Sequence, residues 1–141
     1  MTFGDQHQSM VKIADAILAA VQSGGERLRR LPALRLQLAR EVNDHVREET
    51  ALIRQRRDDR SVGDAVEKAL ISRYHDELLD WRRQLGSCNV DWPPSRVAAN
   101  PIGFRIAFQP LRDALWRRVR WEEDVFYPRV LARADLLGKA V

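Results

Sequence analysis

The sequence predicts an all-α protein, an up-down four-helix bundle, and three observations carry that expectation. No stretch of its 141 residues sustains the apolar–polar alternation of a strand. Glycine and proline divide the chain into four long segments, joined by short links and one longer connection. Within each segment apolar residues recur at spacings of three and four, the pattern of a helix that buries one face.

The first helix is expected from Phe3 to Ser23, ending at Gly24-Gly25, because glycine takes the left-handed backbone of a helix C-cap at little cost. A second begins near Leu31 and runs to Asp58, with Pro32 in a first turn that has no use for its missing N–H. The third is placed at 61–86, where Ser61 and Asp64 form a shortened capping box and Gly86 is the stop. Residues 87–109 contain Pro93, Pro94, Asn100, Pro101 and Gly103 and read as a loop, with at most a short apolar turn from Ile102 to Phe108. The fourth helix is expected from Pro110 to Leu137, bent at Pro128. All 141 residues then form one domain.

Composition excludes several function classes. A single cysteine, Cys88, rules out a disulfide framework and any zinc site built from several thiolates, and its place in the expected loop makes it an incidental thiol. The apolar run from Ile13 to Val21 is interrupted by Asp15 and falls short of the roughly 20 residues of a membrane span. Met1 to His7 lacks the basic region and apolar run of a secretory leader, so a cytoplasmic location without a membrane partner is expected. The net charge of +4 rests on arginine, clustered at Arg54, Arg56, Arg57 and Arg60, at Arg82 and Arg83, and at Arg117, Arg118 and Arg120. Acidic neighbours (Asp58, Asp59, Asp80, Glu122, Asp124) suit local ion pairs, and no phosphate loop or helix-turn-helix spacing is present. Nucleic acid is therefore not an expected partner. Trp81, Trp116 and Trp121 read as edge packing or a homodimer contact.

The informative residues are polar ones inside the apolar seams. The first seam is Phe3, His7, Met10, Ala14, Ile17 and Val21; the second is Leu38, Val42, His45, Glu49 and Leu52. The third contains Ile71, His75, Leu78 and Leu85, and the fourth Leu115, Val119, Glu123, Phe126 and Val130. Glu123 is the expected inward carboxylate, with Glu122 competing at the neighbouring angle. Counted from the expected helix ends at about 1.5 Å per residue, His7, His45, His75 and the Val119–Glu123 turn fall in one layer. Carboxylates buried without partners are costly or lose their charge. A divalent cation removes that conflict, and His45 and Glu49, one turn apart, can reach a single ion.

Nitrogen and oxygen donors without thiolate suit iron, manganese or zinc. The candidate ligands are His7, His45, Glu49, His75 and Glu123. Glu48 and Glu122 are flanking partners for arginine, and Phe3, Phe126 and Tyr127 pack around the layer, with a hydrogen bond from Tyr127 to the ligands as the lesser alternative. No residue points to an organic substrate, and an enzyme is not expected. The rival expectation is a metal-free layer of His–Glu hydrogen bonds in a regulatory or interaction protein.

Four features resemble the hemerythrin-like, or HHE cation-binding, family. They are His7 in a leading helix, the run His45-Val-Arg-Glu48-Glu49-Thr-Ala-Leu, His75 in the third helix, and Glu122-Glu123-Asp-Val-Phe126-Tyr-Pro128 in the fourth. The resemblance covers essentially the whole chain. It implies a four-helix bundle with a non-haem iron site, mono- or dinuclear, that senses or handles dioxygen, reactive oxygen species or iron. The chain departs from the family at Val119, where a fourth-helix histidine is expected, and at Ile71 and Leu79, which flank His75 without supplying a second imidazole. A reversible diiron oxygen carrier is not expected. One tightly held ion, an asymmetric pair completed by water, or a site that has lost its metal are the remaining expectations.

Overall fold

In the computed structural model, which describes residues 2–59 and 64–131, every element is helical. Helix α1 spans Phe3–Ser23, α2 Gly25–Leu28, α3 Leu31–Asp59, α4 Ala65–Asp91, α5 Pro94–Ala99 and α6 Pro101–Trp121; a π-helical segment, Glu122–Leu131, continues α6. None of these helices is long and apolar enough to cross a membrane.

The first two long helices lie where the seams place them. Thr2 and Asp5 form a reciprocal capping box at the start of α1, each side chain accepting the other's backbone N–H at 3.1 Å. Gly24 (φ 64°) and Gly25 (φ 58°) end α1 in left-handed backbone, as the sequence predicts.

The third boundary shifts by a few residues. Asp64 is the N-cap of α4, accepting the Glu67 N–H at 2.7 Å, rather than a residue inside the helix. Ser61 lies outside the described residues, as does the expected end of the fourth helix beyond residue 131.

The loop expected at 87–109 is instead almost entirely helix. Gly86 sits inside α4, whose buried seam Leu78, Trp81, Leu85, Cys88 continues through it. The prolines start helices rather than prevent them: Pro94 and Pro101 occupy first-turn positions, where no N–H is needed. Asn100 caps α6 by accepting the Gly103 N–H at 3.0 Å. Pro110 falls inside α6 on its exposed face, while Phe104, Phe108, Leu111 and Leu115 bury a continuous stripe around it. That burial outweighs the roughly 3 kcal/mol cost of an interior proline. Cys88 is buried in a helix, not exposed in a loop. Trp81 is also a core residue rather than an edge, its indole N–H donating to the Leu111 carbonyl at 3.0 Å.

Helix α1 packs against α3 and α6, while α4 packs against α6 and the π-helical segment, which also meets α3. Two apolar clusters result. One gathers Met10, Ile17, Leu38, Val42, Trp81, Phe104, Leu115 and Val119. The other gathers Phe3, Ile53, Ile71, Tyr74, Phe126, Tyr127 and Val130. Along α1, α3 and the run from α6 into the π-helical segment the boundary between them falls at a polar residue: His7 between Phe3 and Met10, His45 between Val42 and Ile53, Glu122 between Val119 and Phe126. The polar layer divides the core in two.

Candidate metal centre

Four of the five groups that meet in this layer are His7, His45, Glu49 and Glu122, all buried; one ligand atom from each lies within 4.8 Å of every other. Tyr127 is the fifth. Its hydroxyl donates to Glu49 Oε2 and lies 2.8 Å from Glu122 Oε1 and 3.1 Å from His7 Nε2.

Each of the four candidate ligands has one atom facing inward and the other tied outward. His45 donates from Nδ1 to the Gln6 amide oxygen at 2.6 Å, because the Gln6 NH2 is itself committed to Glu48 Oε2, also at 2.6 Å. His7 donates from Nδ1 to Glu123 Oε2 at 2.7 Å. Glu49 Oε1 accepts from the Tyr74 hydroxyl at 2.5 Å, and Glu122 Oε2 is held by Arg118 Nε at 2.9 Å. The inward atoms are then His7 Nε2, His45 Nε2, Glu49 Oε2 and Glu122 Oε1. This is the arrangement that orients metal-binding imidazoles and carboxylates.

The spacing of the inward atoms fits one ion. Two donors about 2.1 Å from a common ion lie about 3.0–3.4 Å apart for angles between square and tetrahedral. His7 Nε2 to His45 Nε2 is 3.1 Å, His45 Nε2 to Glu49 Oε2 is 3.1 Å and His7 Nε2 to Glu122 Oε1 is 3.3 Å; His45 Nε2 to Glu122 Oε1 is longer, at 3.6 Å. The donor set, two imidazoles and two carboxylates, suits iron, manganese or zinc.

Proton affinities reflect the crowding of charge. Burial alone would lower His45, but Glu122 and Glu49 outweigh it and push the imidazole up to about 9. His7 is raised for the same reason, burial being outweighed by Glu122 and Glu123. Glu49 is pushed up to about 7 by burial and by the charge of Glu122. Glu122 goes the other way: burial opposes its ionisation, but bonds from Glu49, His45 and His7 and the charge of Arg118 hold it well below the carboxylate range. Of the two carboxylates in the layer, Glu122 is the one held ionised.

Two expected ligands are placed differently. His75 is exposed on α4, its ring edge-on to Tyr74, and does not join the cluster. The buried seam of α4 is Glu67, Ile71, Tyr74, Leu78, Trp81, Leu85 and Cys88, an unbroken alternation of four and three that selects Tyr74. The true register is Ile71–Tyr74–Leu78, not the equally regular Ile71–His75–Leu78. Glu123 exchanges roles with Glu122. Its side chain is 33% exposed and supports His7 from outside, whereas the Glu122 side chain is 3% exposed and faces the layer.

Positions three and four past Val119 both lie near the buried face of an α-helix, and the backbone, still helical at Glu122, turns the nearer one inward. Beyond Glu122 the helix widens into π geometry, in which residues five apart share a face. Glu122 and Tyr127 are such a pair. Pro128 lacks the N–H that an α-helix would direct at the Asp124 carbonyl, and it lies inside this wider turn.

Glu48 is exposed and anchors Gln6, and Val119 is buried at the position where the family pattern calls for a further histidine. Sequence reasoning misses Gln6, Tyr74 and Arg118 as members of the site. The unbroken heptad of α4 signals Tyr74, and the four-residue spacing to Glu122 signals Arg118; nothing in the sequence signals Gln6. Compared with known protein families, with curated proteins and with solved structures, the chain matches none.

Proposed function

We propose that this is a hemerythrin-like metal-binding protein, an up-down four-helix bundle formed by α1, α3, α4 and α6 with its π-helical continuation. It holds one non-haem iron ion on His7, His45, Glu49 and Glu122. The observation that carries this reading is the outward tether on each of the four groups, which leaves one lone-pair atom of each turned to a common point. Bound iron supplies one-electron redox chemistry toward dioxygen or reactive oxygen species, and the function proposed is to sense or handle these species or iron itself.

The chain's own residues do the rest. Gln6 and Glu123 keep both Nδ1 atoms protonated, so Nε2 of each neutral ring is the donor. Tyr74 and Arg118 fix one oxygen of each carboxylate. Phe3 and Phe126 pack beside the layer and limit water. Buried Val119, Ile71 and Tyr74 on the facing helices leave no second set of imidazoles, which favours one ion over a pair. Manganese and zinc suit the same donors.

One observation favours a metal-free reading: every nitrogen and oxygen of the four side chains already has a partner within the protein. Anaerobic loading with iron(II), followed by elemental analysis, separates the two. The expected result is about one iron per chain, lost in His45→Ala and Glu49→Gln. A stoichiometry near zero in the parent protein would leave the hydrogen-bonded layer as the function-neutral explanation.

A further inference from the structure

Two cavities share one wall residue, Val46. The outer one, about 540 Å³, is a groove lined by α3 and α4, with Arg47, Arg54 and Arg82 on its walls. Arg82 is held in place by the Asn43 side-chain oxygen at 2.5 Å, and neither Arg47 nor Arg54 forms an ion pair with a described residue. The inner one, about 20 Å³, lies against His45, Glu49, Glu122 and Arg118.

Arg118 is the anomaly in the inner cavity. Its side chain is 8% exposed, its Nε binds Glu122 and its Nη2 donates to the Tyr74 carbonyl at 3.0 Å. Its Nη1 is buried with no partner. A buried cationic donor recovers its lost hydration only from an acceptor, and an acceptor in the adjoining cavity would supply it. The volume is about that of one ordered water, so the acceptor is one atom wide.

We propose that the metal centre takes its small ligand as an anion. Arg47, Arg54 and Arg82 gather it in the groove, Val46 gates its passage, and Arg118 holds it beside the metal ligands. The inference rests on the metal reading above, because Glu49 and Glu122 would repel an anion unless a cation offset them. A neutral diatomic gains nothing from three guanidinium groups at the entrance, whereas a reduced oxygen species or another slender anion is concentrated there.

Cobalt(II), a coloured stand-in for iron, and azide as the probe test the proposal. In the cobalt-loaded protein azide is expected to cause a saturable change in absorption, while the wider perchlorate ion causes none. Val46→Phe should keep cobalt and weaken azide at least tenfold by plugging the passage. The double variant Arg47→Glu, Arg54→Glu should slow azide association several-fold at low salt, with the difference erased at high salt. Arg118→Lys, which also loosens Glu122, should weaken azide by a larger factor than it weakens cobalt. Cobalt binding without an azide response, or parent-like azide binding in Val46→Phe and in the arginine variants, would overturn the anion pathway and leave the metal site standing. Failure to retain cobalt would overturn both.

Discussion

His7 and His45 face each other Nε2 to Nε2 at 3.1 Å, each turned there by a hydrogen bond on its other nitrogen. With both Nδ1 atoms committed as donors, two lone pairs at that distance accommodate a shared proton or a cation between them. Protons and metal ions therefore compete for the same space.

Gln6 orients His45 without touching the centre. Gln6→Leu frees Nδ1 and lets the ring turn, and a competition titration should show metal affinity lower by roughly 10- to 100-fold. Thermal stability should change little, because Gln6 is only half-buried and lies outside the apolar clusters. An unchanged affinity would mean that packing against Phe3, not the hydrogen bond, sets the ring.

Glu122 and Glu123 are adjacent in sequence but unequal in role. Glu122→Gln removes the carboxylate held ionised in the layer and should abolish tight binding, whereas Glu123→Gln should weaken it about tenfold by loosening His7. The reverse order, read by metal titration, would show that Glu123 rather than Glu122 faces the layer.

Tyr74 and His75 make a second adjacent pair. Tyr74→Phe leaves a Glu49 oxygen buried without its donor and should cost about 1–3 kcal/mol in urea unfolding. It should also weaken metal binding. His75→Ala should leave both quantities unchanged, because His75 is exposed and its ring touches only Tyr74 among the described aromatics.

The sign of the pH dependence is set by the same groups. In the metal-free protein His45 is raised from 6.5 to about 9, so its contribution to stability is complete below pH 6.5 and is lost as the pH rises through 9. Glu49, raised from 4.5 to about 7, also holds a proton that the unfolded chain has released, so stability falls over that interval as well. Metal displaces these protons and binds more tightly as pH rises. The gap in Tm between loaded and metal-free protein should therefore widen from pH 6 to pH 9; a constant gap would contradict proton competition at these residues.

Much of the layer is legible in the sequence because His7, His45 and Glu49 interrupt otherwise regular apolar seams, where a buried polar group demands a partner. The exchange at Glu122 and Glu123 is not, because positions three and four past Val119 both lie near the buried face of a helix and composition does not choose between them. The helices within 87–109 are hidden for a different reason. Proline at a helix start and proline between helices look alike in sequence, and only the stripe Phe104, Phe108, Leu111, Leu115 separates the two. Gln6 is illegible because a half-exposed amide carries no periodic signal.

The most direct test uses the fact that the chain has only three histidines. Nitrogen NMR of uniformly labelled protein, titrated with diamagnetic zinc(II), resolves each imidazole. The expected result is that the Nε2 signals of His7 and His45 shift together and saturate at about one equivalent. His75, lowered first by partial burial and then by the charge of Arg57, should keep its free titration. Coordination at His75, or a titration that leaves His7 and His45 unmoved, would contradict the metal centre assigned to this layer.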